Sequence, residues 1–338
     1  MKYAKDTRPK GVSHKAAEVL VEALPWIKNI TGKTVVIKYG GSAMVDARLR
    51  ADVMSDIVLL KIVGVNPVIV HGGGNAITAA MDRMELPVEF KDGQRVTTPE
   101  AMDVVRTVLM GTVNQELVAA LNEHGNFAVG VSGADAGVIV AEQASPQLGR
   151  VGRITRINRP LLDDLVEGDY IPVVASVALG EDGGFYNVNA DMVAGHVAAA
   201  IGAHKVVFLT DVDGLYENFE NKESLISNLT LFEAQYMVEN NIVSTGMIPK
   251  LKSCIHALEA GVFRAHIING TTPHSLLLEL LTSTGVGTTM HSTEEACKFD
   301  AHPLGNFASK LLENRQAAGA NGAASGGTAS AETARAGR

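Results

Sequence analysis

Two glycine-rich turns are the segments of this chain best suited to chemistry. Lys38–Ser42 reads KYGGS and follows the apolar run Thr34–Ile37, while His71–Asn75 reads HGGGN and follows Val68–Val70. Turns without side chains let backbone N–H groups approach a phosphate closely, and a lysine adds a mobile positive charge. The two turns together therefore predict a site that holds a phosphoryl group from several sides.

Neither turn matches the common nucleotide-binding signatures. Lys38 is not at the GxxxxGK[ST] spacing of a Walker loop, and the HGGG segment is not the GxGxxG of dinucleotide sites. A lysine at the end of a buried strand needs an anion to compensate for its lost hydration, and a structural carboxylate would serve as well as a ligand. The adjacent glycines favour a phosphate as the partner of Lys38.

Three further polar groups also have ordinary structural explanations. Arg95 follows a turn and either grips a carboxylate through a bidentate fork or forms a surface ion pair. Asn187–Asp191 reads NVNAD before a helix, where Asn189 can cap the helix and Asp191 can fix the position of lysines. Thr210–Gly214 reads TDVDG after a strand, which is where α/β sheets bind ligands and also where solvated aspartates form tight turns.

The last candidate segment, Thr245–Lys250, reads TGMIPK and opens a helix whose free N–H groups and dipole suit a phosphate. Lys250 lies in the first turn, where the dipole disfavours a cation unless an anion is nearby. This placement favours a functional role for Lys250. His71, His196 and His266 are not at metal-ligand spacing and are interpreted as hydrogen-bonded structural residues.

Alternating strands and helices must position these groups. Apolar runs predict strands at Val35–Lys38 and Pro67–His71, and helical periodicity predicts helices at Ala47–Val63 and Asn75–Met84. This βαβα start favours a parallel sheet with right-handed crossovers. Extended or hairpin structure is predicted at 86–95, further strands at 127–132, 138–141, 151–157, 171–175, 205–210 and 266–268, and further helices at 100–123, 161–166, 191–200, 231–240, 247–260 and 275–281.

Composition excludes several classes of protein. The 338 residues are 46% hydrophobic and 20% charged, which is typical of a globular chain, and the net charge of −8 argues against general nucleic-acid binding. No apolar run approaches the roughly 18 residues of a membrane span, and no apolar signal core follows Met1, so we expect a cytoplasmic protein. Cys254 and Cys297 lack metal-ligand spacing and are interpreted as reduced thiols.

The two ends differ from the middle of the chain. Apolar residues recur at helical spacing after Ser13, and Pro25 is expected to kink or divide that helix. The helix either packs on its own domain or recruits another subunit. Ala317–Arg338 is almost wholly Ala, Gly, Ser and Thr, so we expect it to be disordered.

Six of these segments, in this order, resemble the motifs of the amino acid kinase family over about Ser13 to Met290. They are Lys38–Gly41, His71–Gly74, Asp92–Thr97, Asn187–Asp191, Thr210–Gly214 and Gly246–Lys250. The resemblance implies an α/β fold, an open αβα sandwich with a mainly parallel central sheet and two lobes. It implies an oligomerisation helix at 1–30, an N-acetyl-L-glutamate lobe at 31–202, an ATP lobe with an arginine site at 203–300, and a tail at 301–338.

The reaction that the resemblance implies is transfer of a phosphoryl group from MgATP to the side-chain carboxylate of N-acetyl-L-glutamate, in arginine biosynthesis. A carboxylate of this kind has a pKa of about 4.3 and is already ionised at neutral pH, so it needs no general base. Positioning and charge neutralisation by lysines, N–H groups and Mg²⁺ are then sufficient. The lack of a recognisable catalytic Ser/His/Asp arrangement fits this chemistry.

By the same resemblance, each motif residue has an expected role. Lys38 and Lys250 would touch the phosphoryl group in flight, and Asp191 would hold the two lysines. The residues expected to bind the substrate are Gly73, Gly74, Arg95, Asn187 and Asn189. The residues expected to bind the nucleotide are Gly40, Gly41, Thr210, Asp211, Asp213, Gly214, Gly246 and Met247. No protein side chain is expected as a dedicated metal ligand.

The C-terminal segments resemble the arginine site of feedback-inhibited family members, which assemble as hexamers. The residues expected to bind arginine as an inhibitor are Lys205, His266, Glu279 and Gly285. Ser13–Ile30 fits the kinked helix that links those hexamers, which are trimers of dimers. A nitrogen-signalling protein docks on some relatives, and no local motif here decides whether one binds this chain.

The sequence departs from the family pattern at two positions. Thr245 and Ala134 replace a glycine and a lysine that are common in the family.

Two alternative functions remain open from the sequence. A kinase for a related acyl amino acid, such as N-acetylaminoadipate, would differ by one methylene, which is a small energetic discrimination. The other alternative is a non-catalytic arginine sensor on the same fold, and the retention of Lys38, Lys250 and Asp191 argues against it.

Overall fold

The structure is a computed structural model that describes residues 10–44, 46–91, 93–218, 220–244 and 246–292. Trp26–Glu294 forms one compact unit, and the preceding part of the chain belongs to a second unit, of which residues 10–25 are described. Thr245, Cys297 and the predicted tail at 301–338 lie outside the described residues.

The helices begin and end close to the positions that periodicity predicted. They are α1 (Lys10–Ile30), α2 (Ala47–Ile62), α3 (Gly74–Arg83), α4 (Pro99–Arg106), α5 (Gln115–Asn122), α6 (Pro160–Glu167), α7 (Ala190–Ala200), α8 (Leu231–Glu239), α9 (Ile248–Glu259) and α10 (Ser275–Leu281). None of them, within the described ranges, combines the length and apolar character needed to cross a bilayer.

The strands are β1 (Thr34–Tyr39), β2 (Asn66–His71), β3 (Phe90–Lys91), β4 (Gln94–Arg95), β5 (Ala128–Ser132), β6 (Ile139–Gln143), β7 (Gly152–Ile157), β8 (Ile171–Ala175), β9 (Val177–Gly180), β10 (Phe185–Asn187), β11 (Lys205–Thr210), β12 (Asn228–Thr230), β13 (Arg264–Asn269) and β14 (Thr288–His291). In the described chain, an eight-stranded sheet has the order β12-β14-β13-β11-β1-β2-β8-β5. All its neighbours are parallel except β13 and β14, so the predicted mainly parallel sheet is confirmed.

The predicted lobe boundary at 202/203 falls between α7 and β11, in the middle of this sheet. Strand β11 pairs with β1, which joins the strands of both predicted lobes into one continuous sheet. Because parallel strands end at the same edge, the turns after β1, β2 and β11 emerge side by side. The sheet order therefore brings the two glycine-rich turns close to the Thr210–Gly214 turn, although these segments are far apart in sequence.

Helices cover both faces of the central sheet. Val36, Val206 and Phe208 join one buried cluster with the apolar residues of α7 and α9. The alternate residues Val35 and Ile37 are equally buried outside that cluster, on the side where α2 packs on β2 and α10 packs on β13. A strand with both faces covered needs a continuous apolar run, which is what the sequence of β1 and β11 provides.

The second sheet and the longest predicted helix differ from the sequence predictions, and β12 and β14 were not predicted as strands. A four-stranded sheet of order β10-β9-β6-β7, with β6–β7 and β9–β10 antiparallel, was not predicted as a unit because β9 and β10 are too short to give a clear period. The helix predicted at Glu100–Glu123 is present, but its middle turns, Thr107–Asn114, are π-helical.

The N-terminal helix continues through Pro25 without interruption, so the chain is not divided into two helices at this proline. Its large apolar side chains are mostly solvent-exposed ahead of Pro25, and Ile30 beyond it is fully buried. The part of α1 before Pro25 thus presents an apolar stripe to solvent. The sequence pattern indicated recruitment of another subunit as one possible role of such a stripe.

Helices α7 and α9 cross closely at a glycine, and this contact yields a stability prediction. A Cβ on Gly195 would lie 2.7 Å from the carbonyl oxygen of Ser253. Gly195→Ala therefore forces the two helices apart, and we expect a loss of about 1–3 kcal/mol in the free energy of unfolding, measured in urea. Gly111→Ala is the control, because a Cβ there meets nothing within 4 Å. Equal unfolding midpoints for the two variants would contradict the predicted crowding.

Candidate active site

Two lysines share one buried carboxylate at the edge of the sheet where the glycine turns lie. Lys38 Nζ lies 3.0 Å from Asp191 Oδ1, and Lys250 Nζ lies 3.1 Å from Asp191 Oδ2. The side chains are 11%, 19% and 8% exposed for Lys38, Lys250 and Asp191, so both ammonium groups retain some access to solvent or ligand. The prediction that Asp191 pairs with the two lysines is confirmed, while their catalytic role stays a prediction.

Three different elements supply this cluster. Lys38 is two residues after Val36 on β1 and so faces the same side of the sheet, toward α7 and α9. Asp191 lies in the first turn of α7, and Lys250 lies in the first turn of α9. The helix dipole favours Asp191 at its position and disfavours Lys250 at its own, so the carboxylate supplies the anion that Lys250 needs.

The charges of the cluster do not balance. Burial alone would raise the pKa of the Asp191 carboxyl, but the charges of Lys38 and Lys250 outweigh burial and hold the pKa below its usual range. Asp191 is therefore ionised at neutral pH, and two positive charges surround one negative charge. A bound anion would neutralise the remaining positive charge of this partly buried cluster, and a phosphoryl group is such an anion.

The glycine turns leave room around these charges. A Cβ on Gly40 would lie 3.0 Å from Lys38 Nζ, so a side chain at this position would displace the ammonium group. Gly41 has a φ of +74°, and Gly74 starts α3, where a Cβ would meet nothing within 4 Å. The first N–H groups of α3 have no partner inside the helix and can donate to a ligand.

Arg95 lies against the N-terminal turns of α3. Its guanidinium donates to the Gly74 carbonyl at 3.1 Å and to Thr78 Oγ1 at 2.6 Å, and it stacks on Phe90 at 4.7 Å. Within the described ranges no carboxylate lies within 4.0 Å of it. Burial lowers the pKa of Arg95, and the more distant charge of Asp82 offsets part of that effect. A ligand carboxylate would therefore relieve the desolvation of this charge.

Asn187 and Asn189 have different partners. Asn187 Nδ2 donates to the buried Thr97 Oγ1 at 3.3 Å, and that hydroxyl donates to the Arg95 carbonyl at 2.9 Å, so Asn187 is linked to the arginine. Asn189 Oδ1 accepts from the backbone N–H groups of Asp191 and Met192 and caps α7. Capping is the structural explanation that the sequence offered for Asn189, and a substrate contact by this residue stays a prediction.

The candidate nucleotide residues follow β11 and precede α9. Thr210 Oγ1 accepts from the Val212 N–H, and Asp213 accepts from Tyr216 and Asn269, whose hydrogen bonds lower the pKa of the Asp213 carboxyl. Asp211 is exposed. The backbone at Gly214 lies against Thr288, since a Cβ there would be 2.5 Å from Thr288 Oγ1.

Gly246 and Met247 lie directly before α9, the helix that carries Lys250. Gly246 is exposed and a Cβ on it would meet nothing within 4 Å, while Met247 packs against the buried cluster under the helix. The structure thus brings both residues to the end of α9 nearest Asp191, and their contact with a nucleotide stays a prediction.

The residues predicted for arginine form a second buried cluster on α10, β13 and the loop before β14. Glu279 Oε1 accepts from His266 Nδ1 at 2.7 Å and from Thr289 Oγ1 at 3.0 Å. Its Oε2 accepts from the N–H groups of Val286 and Gly287 at 2.7 and 3.1 Å. Gly285 has a φ of +61°, and a Cβ on it would lie 2.7 Å from the same oxygen.

Glu279 is therefore an ionised carboxylate that accepts hydrogen bonds from β13, β14 and the loop between α10 and β14. Burial would raise its pKa, but the hydrogen bonds from His266 and the other donors outweigh burial and lower the pKa to about 2. Lys205 is buried on β11, and its charge, after the larger effect of burial, lowers the pKa of His266. The structure thus brings all four predicted residues into one neighbourhood, and arginine binding stays a prediction.

Sequence reasoning missed the residues that connect these groups. Thr78 and Thr97 hold Arg95 and Asn187, and Asn114 contacts His71. Thr97 ends the Asp92–Thr97 motif, but no role was predicted for it, and Thr78 and Asn114 carry no sequence signal, because threonine and asparagine inside predicted helices have many ordinary roles. The prediction that His71, His196 and His266 are hydrogen-bonded residues is confirmed.

Replacing Glu279 tests its structural contribution. Because its pKa falls from 4.5 to about 2, ionisation stabilises the fold by roughly 3 kcal/mol above pH 4.5, and this contribution is lost as pH falls toward 2. We expect Glu279→Gln to lower the free energy of unfolding by about that amount at pH 7, and by progressively less in acid. The exposed Glu239→Gln is the matched control, and an equal effect of the two changes would show that the Glu279 network is not stabilising.

Comparisons with known proteins identify the family of this chain. The sequence pattern of the amino acid kinase family matches residues 33–269. An acetylglutamate kinase from Caldanaerobacter subterraneus subsp. tengcongensis is 50% identical over 274 residues, which cover 80% of this chain and 92% of that relative. An acetylglutamate kinase from Corynebacterium glutamicum is 48% identical over 279 residues, which cover 80% and 87% of the two chains.

A solved structure has the same fold. N-acetylglutamate synthase from Neisseria gonorrhoeae, complexed with coenzyme A and N-acetyl-glutamate, matches with a TM-score of 0.72 at 24% identity. The match covers 82% of this chain and 63% of the synthase chain, and at this identity it shows the fold alone. The family match and the relatives at about 50% identity show that the chain belongs to the amino acid kinase family.

Proposed function

We propose that the chain catalyses the ATP-dependent phosphorylation of the side-chain carboxylate of N-acetyl-L-glutamate, in arginine biosynthesis. The observation that carries the proposal is the cluster in which Lys38 and Lys250 share Asp191 and leave one positive charge uncompensated. The similarity to acetylglutamate kinases over most of their length supports the choice of acceptor.

The chemistry requires positioning more than proton transfer. A carboxylate oxygen of the acceptor attacks the γ-phosphorus of ATP, the bond to the β,γ-bridging oxygen breaks, and ADP leaves with that bond's electron pair. The carboxylate is already ionised, so no base is consumed. Lys38 and Lys250 neutralise the charge that spreads over the phosphoryl oxygens, and Asp191 keeps the two ammonium groups from repelling each other apart.

The ends of the two substrates are assigned to the flanking groups. We assign Arg95 and Asn187 to the α-carboxylate of the acceptor, and the N–H groups of Gly73 and Gly74 to its reacting end. The hydrogen bonds from Asn187 to Thr97 and from Thr97 to the Arg95 backbone carbonyl support this assignment. The Arg95 guanidinium forms no ion pair within 4.0 Å in the described ranges, and only the more distant charge of Asp82 acts on it, which supports an anionic ligand there.

We assign the nucleotide, as its magnesium complex, to the turns after β1 and β11 and before α9. Mg²⁺ in kinase sites is bound through substrate phosphates and one or two carboxylates, where it neutralises phosphate charge. Among the described residues no group of three His, Cys, Asp or Glu side chains could hold a metal ion. We assign the exposed Asp211 to the nucleotide, as expected from the sequence, and name no side chain as a dedicated metal ligand.

The deciding experiment measures ADP formation with N-acetyl-L-glutamate and with N-acetylaminoadipate. We expect kcat/KM to favour N-acetyl-L-glutamate by about 10–200-fold, the discrimination that one methylene allows. We expect Lys38→Ala and Lys250→Ala to lower kcat by about 100–1000-fold, since each removes charge stabilisation of the transition state. Lys252→Ala, an exposed lysine on the same helix, is the control and keeps its kcat.

Three results would contradict this proposal. Near-normal turnover in either lysine variant would remove the roles given to Lys38 and Lys250. A preference for N-acetylaminoadipate would favour the related acyl amino acid kinase. Arginine binding by calorimetry, with no turnover of either acceptor, would favour the non-catalytic sensor.

We further propose that arginine inhibits the enzyme through the Glu279 cluster in a hexamer built by α1. Glu279 has the charge that a guanidinium needs, and the apolar residues of α1 before Pro25 are exposed. Arginine would then have to displace donors that now satisfy Glu279, which couples binding to movement of the loop at 285–287.

Removal of residues 1–25 tests the assembly proposal. This deletion spares the buried Ile30, and we expect it to convert hexamers to dimers in native mass spectrometry and to weaken arginine inhibition at least 10-fold. Leu20→Asp with Leu24→Asp should act like the deletion, because a charge on the apolar stripe opposes its burial. Glu22→Gln, on the same helix, is the control, and an unchanged hexamer in the deleted chain would rule out the role of α1.

A further inference from the structure

We propose that Asn114 and His71 are positioning residues that hold the Gly72–Gly74 turn for phosphoryl transfer through a buried chain of hydrogen bonds. Asn114 Nδ2 donates to the Val173 carbonyl at 2.8 Å and lies 3.0 Å from His71 Nε2, and His71 Nδ1 lies 3.0 Å from the Gly72 carbonyl oxygen. The kinetic part of this inference rests on the proposed function, and the hydrogen-bond chain itself does not.

The hydrogen-bond partners determine the position of each proton in this chain of hydrogen bonds. A carbonyl oxygen only accepts, so His71 Nδ1 must carry the hydrogen that it donates to Gly72. Nε2 of the neutral ring then accepts from the Asn114 amide, whose second hydrogen goes to Val173. The reverse orientation of the amide would set its oxygen against the Val173 carbonyl, with two acceptors facing each other. Both side chains are fully buried, and burial lowers the pKa of His71 to about 4, which keeps the ring neutral.

A fixed carbonyl also fixes the next N–H group. Gly72 C=O and Gly73 N–H belong to one planar trans peptide, so they point in opposite directions. Anchoring the Gly72 oxygen to the imidazole therefore directs the Gly73 N–H away from the buried ring. A turn of three glycines has little orientation preference of its own, and this anchor supplies what the missing side chains do not.

The π-helical segment contacts the same turn a second time. Asn114 is the last residue of Thr107–Asn114, and Leu109 and Val113 of that segment pack on Gly73, where a Cβ would lie 2.7 Å from Leu109 Cδ2. One segment thus holds the carbonyl of Gly72 through a polar chain and the Cα of Gly73 through apolar contact. Short π-helical segments occur frequently at functional sites.

The cost of this arrangement indicates a purpose other than stability. Asn114 Oδ1 is buried without a hydrogen-bond partner in the described part of the chain, which is unfavourable. It occupies space that Gly130 of β5 leaves open, since a Cβ there would be 2.1 Å from this oxygen. An apolar side chain would fill the same volume without the unsatisfied acceptor, so the amide is explained by what its nitrogen does.

Kinetics of four variants test the positioning role. We expect Asn114→Leu and His71→Leu to lower kcat/KM for N-acetyl-L-glutamate by about 10–100-fold, the cost of a small misplacement, and to leave KM for ATP within about twofold. His71→Asn, which can still donate to the Gly72 carbonyl, should recover part of the loss. Asn122→Ala is the matched control, because Asn122 lies in the same continuous helix and its side chain bonds, within the described part of the chain, to the backbone of Phe127 and Ala128.

The urea midpoints of all variants separate positioning from folding. Asn122→Ala is expected to lose stability and keep kcat/KM, while Asn114→Leu is expected to lose kcat/KM whatever its stability. If Asn114→Leu keeps the kinetic constants of the wild type, the positioning role is wrong.

Nitrogen NMR of the histidine-labelled protein tests the chain independently of activity. At pH 7 we expect His71 to be neutral with its proton on Nδ1, held by the Gly72 carbonyl, and we expect Asn114→Leu to shift the Nε2 resonance because that nitrogen loses its hydrogen-bond donor. A wild-type ring that is protonated on Nε2 overturns the hydrogen-bond chain. A wild type with no turnover overturns the proposed function and the kinetic role, and the NMR result then still decides whether the anchor exists.

Discussion

A buried carboxylate needs compensating positive charge, and the candidate site depends on how the fold supplies that charge to Asp191. Two ammonium groups at 3.0 and 3.1 Å keep the buried carboxylate ionised, and the carboxylate keeps two like charges close together. Neither lysine would be stable near the other without it. The remaining positive charge is the property that makes the place a site for an anion.

The parallel sheet is what brings these three residues together. Lys38 enters from β1, and Asp191 and Lys250 enter from the first turns of α7 and α9, which pack on the same face of the sheet and on each other through Gly195. The same edge receives the glycine turns and the Arg95 side chain. The α/β arrangement thus creates a concentration of N–H groups and cations where the strands end.

A second charged centre, Glu279, lies on α10, which packs on β13 in the other half of the same sheet, and it follows a different principle. Its carboxylate is already satisfied by His266, Thr289 and two backbone N–H groups. Asp191 has more cations than it can neutralise, whereas Glu279 has as many donors as it can accept. The first centre is prepared for an added anion, and the second can change its ligands only by rearranging its loop.

The sequence by itself determined the chemical groups and the local elements. The glycine turns, the lysines and the NVNAD segment could be found from residue type and spacing, and the parallel sheet followed from the alternation of apolar runs with helical periods. It offered capping as one role for Asn189 without deciding it, and it could not show that Arg95 bonds to Thr78. It predicted β6 and β7 as strands, but not the sheet that they form with β9 and β10, and it did not indicate the π-helical segment. Those features depend on strand order, register and packing between distant parts of the chain. Periodicity and propensity act over a few residues, but the distance from Lys38 to Asp191 is set by the whole sheet, so only the tertiary structure could decide it.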